Sequence, residues 1–156
     1  LEDSITPNWF NQIQGQANIS AAYERTLEFT STEGKEYRLN KGELATLIVR
    51  PRGLHMEEKH ILIDSEVASG SLVDAGLYLF HNIKRTLSYG TGPYFYLPKL
   101  ENYMEARLWD EIFAFAEQEL GVTHGTIKAT VLLETILAAF EIEEILENDD
   151  SQNESE

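Results

Sequence analysis

Three short runs of aliphatic, β-branched and aromatic residues constrain this chain most, because each is followed by a longer amphipathic stretch. The runs are residues 44–49, 94–97 and 126–133, and the stretches are residues 71–90, 103–120 and 136–146. Strand-like runs that alternate with helical ones are typical of an α/β fold with a parallel sheet. We therefore predict an α/β domain whose strands are joined by crossover helices.

Turn and cap signals supply the rest of the predicted layout. Residues 7–24 have helical character, and residues 26–39 and 61–67 predict two small β-hairpins. Ser71 is predicted to cap the following helix, with Asp74 as its capping-box partner. Gly121 lies where the glycine that ends a helix is usually found.

Composition excludes several classes of function. The 156 residues suffice for one domain with a core, and the net charge of −15 argues against nucleic acid and anionic membranes as partners. There is no cysteine, so disulfides and thiolate metal sites are excluded, and no apolar run is long enough to span a membrane. The segment 147–156, ENDDSQNESE, is polar and acidic and is predicted to be a disordered tail.

Polar residues follow all three predicted strands. Arg50 follows the first, residues 98–101 follow the second, and Glu134 follows the third. The carboxyl ends of parallel strands share one edge, where α/β proteins place reactive groups. A guanidinium can grip a carboxylate or stabilise a developing oxyanion, and a carboxylate can bind Mg²⁺.

Each of these residues also has an ordinary structural explanation. Arg50 fits a solvated arginine at the start of a loop, and Glu134 fits a helix N-terminus, where the dipole favours negative charge. Local pattern alone favours these explanations. The four histidines have no metal-site spacing; His55 and His60, for example, lie five residues apart.

Four stretches bear a specific resemblance to malate synthases of the A type. They read LIVRPRGLHMEEKH, GSLVDAGLYLFHN, GPYFYLPKLENYMEARLWDEIF and GTIKATVLLETILAAFEIEEIL, and the resemblance covers nearly all of residues 1–146. It implies a TIM (β/α)8 barrel, here partial, with roughly half of the strands and small β-hairpin insertions. It also implies the Mg²⁺-dependent condensation of acetyl-CoA with glyoxylate to malate and CoA, a reaction of the glyoxylate cycle.

The resemblance assigns roles to individual residues. Arg50 matches the family's catalytic arginine, which polarises glyoxylate, while Arg52 is expected to support the loop. Glu134 matches the first Mg²⁺ ligand. Glu2 and Asp3 match residues near the metal, and Ser4 matches a weaker CoA contact.

The family pattern also contains residues that these 156 do not supply. They are the second Mg²⁺ ligand and the general base, both aspartates. We therefore expect this chain alone to be inactive, and we expect its unclosed sheet edges to cause self-association. The predicted domains are a partial barrel over residues 1–146 and the acidic tail over 147–156.

Two other interpretations stay open at this point. The chain could be a non-catalytic remnant or interaction protein, or another Mg²⁺-dependent barrel lyase acting on acyl-CoA and oxo-acids, such as the citrate lyase β-subunit type. The resemblance implies a cytoplasmic location, or a peroxisomal (glyoxysomal) one in a plant or fungus.

Overall fold

The structure, a computed structural model, describes residue 6 and residues 8–150, excluding the side chains of 148–150. The helices are α1 (Trp9–Tyr23), α2 (Gly70–Ser88), α3 (Tyr103–Leu120), α4 (Ile136–Ala139) and α5 (Ile142–Asp150). The strands are β1 (Glu28–Thr30), β2 (Glu36–Arg38), β3 (Ile48–Val49), β4 (Glu57–Ile63), β5 (Glu66–Ser69), β6 (Tyr94–Leu97) and β7 (Lys128–Val131). Within this part of the chain, no helix is long and apolar enough to cross a membrane.

A three-stranded parallel sheet organises the fold. Its strand order is β3-β6-β7, and α2 and α3 are the crossover helices between neighbouring strands. Two antiparallel hairpins, β1-β2 and β4-β5, stand outside it. The α/β class, the parallel pairing and the two hairpins are confirmed, and the sheet is an open portion of a barrel.

One face of the sheet builds the core. Phe95 of β6 meets Tyr78 of α2 edge-to-face, with ring centroids 5.3 Å apart. Phe95 also stacks on Phe113 of α3 at 5.2 Å, and Trp109 lies beside both rings. Aromatic residues one helical turn apart on α3 thus cover one strand, as the apolar stripe predicts.

The opposite face of the sheet is more polar and more open. Tyr94 and Tyr96 alternate with the buried Phe95 and Leu97 along β6, so their side chains lie on the face away from α2 and α3. Strands with one polar, partly exposed face and one buried face match the wall of a barrel whose interior carries function.

Helix α1 packs on α2 through hydrogen bonds as well as apolar contact. The Tyr23 and Tyr78 hydroxyls lie 2.9 Å apart, and burial raises the pKa of Tyr78 far above its usual range. Ser20 Oγ donates to Asn82 Oδ1 at 3.0 Å. Ile19 and Tyr23 also pack against the hydrophobic core, so apolar contact and these polar pairs together fix the position of α1.

The turn between α3 and β7 is held by one buried carboxylate. Glu117, 1% exposed, accepts hydrogen bonds from the N–H groups of Gly125 and Ile127 and from His124 Nδ1. Gly121 ends α3 in the left-handed region, with φ of 66°, as predicted.

Several element boundaries differ from the prediction. The first strand includes only Ile48–Val49 of residues 44–49. The cap of α2 is Ser69, whose Oγ accepts from Leu72 N–H, and not Ser71. Asp74 is not a capping-box partner, because its carboxylate is bound to Arg52.

The last predicted helix is divided in two. α4 ends at Ala139, and α5 begins at Ile142. Between them, the Glu141 carboxylate accepts the Tyr103 N–H at 2.9 Å, at the first turn of α3. The hydrophobic periodicity of the sequence cannot predict this contact, because it joins two residues that are far apart in the chain. α5 includes residues 147–150, which the sequence assigned to a disordered tail, while residues 151–156 lie outside the described residues.

Two phenylalanines on α3 test this description of the core. Phe113→Ala is expected to lower the free energy of unfolding by about 3–5 kcal/mol, because Phe113 is 4% exposed and fills the space over Phe95. Phe115→Ala, at a position 65% exposed on the same helix, is the matched control and should change it by about 0.5 kcal/mol or less. Urea denaturation followed by fluorescence measures both, and equal losses would contradict the packing described here.

Candidate functional site

The carboxyl ends of the three parallel strands define one edge, which we call the rim. Arg50 follows β3 directly, Lys99 lies just beyond β6, and Glu134 lies just beyond β7. Ile48 pairs with Tyr94, and Tyr94 pairs in turn with Lys128, so the three strands start level with one another, and β6 and β7 also end level, at the pair Leu97 and Val131. Parallel pairing in this register is what gathers the three strand exits.

The structure brings the two main predicted site residues together. Arg50 Nη2 lies 3.7 Å from Glu134 Oε1, and both side chains are partly exposed, at 25% and 37%. The guanidinium carbon of Arg50 also lies 5.8 Å from the ring centroid of Tyr96, within the range of a cation–π contact. A cation and a carboxylate thus share the rim on its more open side.

Glu134 is oriented by the neighbouring strand exit. Its Oε1 accepts the backbone N–H of Lys99 at 3.0 Å, in addition to the contact with Arg50. The following residue, Thr135, caps α4 through its Oγ1 and donates that hydroxyl to the Leu100 carbonyl at 2.8 Å. The β7 exit is therefore fixed to the β6 exit by two hydrogen bonds.

Arg52 lies two residues beyond Arg50 but has a different environment. It is 4% exposed, and its Nε and Nη2 donate to the two oxygens of Asp74 at 3.0 and 2.9 Å. Its backbone N–H donates to Asp74 Oδ2 at 3.0 Å, and its Nη1 donates to Glu58 Oε2 at 2.9 Å. One arginine is thus held by two carboxylates, which agrees with the expectation that Arg52 supports the loop.

Charge compensation makes this buried cluster favourable. Burial opposes the charged form of Arg52, but Asp74 and Glu58 outweigh it and raise the pKa of Arg52. Burial also opposes ionisation of Glu58, yet hydrogen bonds from His60 and Arg52 hold the pKa of Glu58 below its usual value. Arg52 and Glu58 are therefore both ionised at neutral pH.

A glycine makes room for the cluster of Arg52, Asp74 and Glu58. A Cβ at Gly70, the first residue of α2, would lie 3.0 Å from Arg52 Cζ. The guanidinium therefore packs against the start of α2, and Asp74, one turn along, is within reach of it. This arrangement ties the loop after β3 to the helix before β6.

A cleft borders the rim beside β3. Its volume is about 610 Å³, and Arg50, Val49 and Ile48 line one side while α1 lines the other. Volumes of this order accommodate small ligands. Arg50 therefore has open space next to it as well as a carboxylate partner.

Glu2, Asp3 and Ser4 lie outside the described residues. Within residue 6 and residues 8–150, no group of three or more His, Asp or Glu side chains could hold a metal ion. His60 and His124 instead contact Glu58 and Glu117.

Sequence reasoning did not find three contributors to the site. Tyr96 contacts Arg50, and the Lys99 N–H contacts Glu134, only because β6 lies between β3 and β7. No sequence signal marks these two residues before the strand order is known. Asp74 did leave a signal, since it is an aspartate within an apolar helical stripe. A buried carboxylate of that kind requires a cationic partner.

A parallel β/α sheet with charged groups at the carboxyl ends of its strands defines an enzyme-type fragment of the β/α-barrel class. The comparisons with known proteins identify which one. Residues 46–153 match the family model described as malate synthase, TIM barrel domain, and the chain belongs to this family. The matched range extends beyond the boundary predicted at Leu146.

Curated relatives agree with this assignment. The chain is 54% identical to a malate synthase of Myxococcus xanthus and 48% identical to malate synthase A of Escherichia coli, each over 146 residues. It is 48% identical over 150 residues to a glyoxysomal malate synthase of Cucurbita maxima. These matches cover 94% of this chain but only 26–27% of each relative, so the chain spans about a quarter of their length.

Stability measurements can test how much the buried Arg52 cluster contributes to the fold. Asp74→Asn is expected to cost about 3–5 kcal/mol of unfolding free energy, because it removes one of the two carboxylate charges that compensate the buried Arg52. The exposed pair Arg107–Glu111 is the control, and Glu111→Gln should cost about 0.5 kcal/mol or less. Thermal and urea melts report both variants. A neutral effect of Asp74→Asn would show that the cluster is not needed for stability.

Proposed function

We propose that this chain contributes part of the active site for the condensation of acetyl-CoA with glyoxylate to malate and CoA. The observation that carries the proposal is the convergence of Arg50 and Glu134 at the rim, 3.7 Å apart, in a chain of the malate synthase family. Arg50 is proposed as the catalytic arginine and Glu134 as a Mg²⁺ ligand.

The chemistry explains why a guanidinium belongs there. The methyl group of the acetyl thioester loses a proton to a base, and the resulting enolate carbon bonds to the aldehyde carbon of glyoxylate. Negative charge then gathers on the aldehyde oxygen, and water later cleaves the thioester to release CoA. Arg50 would bind the glyoxylate carboxylate or stabilise the developing oxyanion, and Tyr96 would hold the guanidinium in place.

Glu134 fits one part of a Mg²⁺ site. A partly exposed carboxylate at a strand end, with one oxygen already oriented by a backbone N–H, suits a cation that takes few protein ligands and keeps several waters. Bound Mg²⁺ would polarise the glyoxylate carbonyl as a Lewis acid. Because the described residues contain no group of three ligands, further ligands must come from other residues.

The remaining assignments rest on the family resemblance. Glu2 and Asp3 are proposed to lie near the metal, with Glu2 accepting from metal-bound water, and Ser4 is proposed as a CoA contact. The proposed location is cytoplasmic, or glyoxysomal in a plant or fungal source, as the name of the Cucurbita maxima relative states for that protein.

Substitutions at the rim test the catalytic proposal in the full-length protein. Arg50→Lys and Arg50→Ala are expected to lower kcat by about 10²–10³-fold, because either removes the fixed two-point donor at the developing charge. Arg107→Ala, which removes an exposed arginine on α3, is the control and should leave kcat unchanged. CoA release from acetyl-CoA and glyoxylate is the assay, and full activity of Arg50→Ala would refute the assignment.

The 156-residue chain alone is proposed to be inactive and to self-associate. Its described residues offer an incomplete metal site, and Leu47 and Ile48 beside the β3 edge are 38% and 51% exposed. Sedimentation analysis should show oligomers, and the CoA-release assay should show no turnover. A cooperative melt of a monomer with measurable activity would contradict both statements and would also exclude a non-catalytic remnant.

A further inference from the structure

One strained backbone position at the rim has no local explanation. Among the described residues, four other than glycine have positive φ, namely Arg25, Asp64, Ser65 and Lys99. Asp64 and Ser65 form the tight turn of the β4-β5 hairpin, where two consecutive positive φ angles are usual. Arg25 follows the end of α1, where a left-handed residue is common.

Lys99 is neither in a hairpin turn nor at a helix end. It has φ of 57° and lies between β6 and α3, directly after Pro98. A side chain with a Cβ adopts this conformation at a cost in free energy, so the surrounding structure must compensate for it. Strain of this kind concentrates at functional sites.

The compensation is visible at Glu134. The left-handed turn presents the Lys99 N–H to Glu134 Oε1 at 3.0 Å, and a hydrogen bond to a carboxylate is among the strong ones. Arg50 Nη2 approaches the same oxygen. Both of these contacts fall on Oε1 of the carboxylate.

We infer that Lys99 is a positioning residue, whose left-handed backbone directs its N–H to Glu134 Oε1 and so orients this carboxylate to bind a divalent cation. The inference deepens the proposed function and rests on the assignment of Glu134 as a metal ligand. It concerns the backbone of residue 99 and requires nothing of the lysine side chain. Partners of this kind, which orient a metal ligand, typically affect metal affinity by about 10–100-fold when removed.

Substitutions that separate backbone from side chain test the inference in the full-length protein. Lys99→Gly removes the side chain but adopts positive φ readily and keeps the N–H. Lys99→Pro removes the N–H and fixes φ near −65°, and Lys99→Val keeps the N–H but disfavours the left-handed region. Binding of Mn²⁺ alone, followed by loss of the free-ion electron paramagnetic resonance signal, is the measurement.

The expected order is specific. Lys99→Gly should bind Mn²⁺ within about twofold of the parent, while Lys99→Pro and Lys99→Val should bind about tenfold or more weakly. Lys99→Val also guards against a folding failure of the proline variant, and circular dichroism melts check both. Weak binding by Lys99→Gly, or unchanged binding by a folded Lys99→Pro, would overturn the inference.

A fourth variant separates this inference from the proposed function. Glu134→Gln should also weaken Mn²⁺ binding by about tenfold or more if Glu134 is a ligand. Unchanged binding by Glu134→Gln would refute the metal assignment itself. Weak binding by Glu134→Gln together with unchanged binding by Lys99→Pro would refute only the role of Lys99.

Discussion

Parallel pairing of β3, β6 and β7 is the constraint on which the rest of this structure depends. Parallel strands need crossover connections, so α2 and α3 must cover one face and bury Phe95. The same pairing directs all three strands to end at one edge. Arg50, from the first strand exit, therefore meets Glu134, from the last, across more than eighty residues of chain.

The two faces of this sheet have separate tasks. On the helix side, aromatic side chains from β6, α2 and α3 interlock and leave little room for change. On the other side, Tyr96 supports a guanidinium, and Lys128 and Thr130 of β7 are exposed. Alternation along a strand permits this division, because neighbouring side chains point to opposite faces. The packed face of the sheet thus fixes the positions of the polar side chains on the opposite face.

The parts of the fold that follow from local pattern were predictable, and those that depend on distant partners were not. The end of α3 at Gly121, the two hairpins and the parallel strands all follow from short-range signals. The division between α4 and α5 instead falls where Glu141 accepts the N–H of Tyr103, 38 residues away in sequence. Only the three-dimensional arrangement of the strands and helices brings such groups together.

In the candidate site, too, contacts between distant residues could be predicted only in part. The convergence of Arg50 and Glu134 could be predicted, since both follow strands and parallel strands end together. The partners of Arg52 could not, because the choice among 27 acidic residues is made by the path of α2 and β4. The same holds for the Lys99 N–H, which reaches Glu134 only because residue 99 takes a conformation that its side chain disfavours.

The two arginines of this loop show how distance and burial separate a structural ion pair from one that can exchange partners. Arg52 is buried and bound to Asp74 and Glu58 at 2.9–3.0 Å, so releasing either carboxylate would strand a charge without water. Arg50 meets Glu134 at 3.7 Å, and both are partly exposed, so water and ligands can replace this contact at little cost. The fixed arginine holds the loop in which the exchangeable one lies.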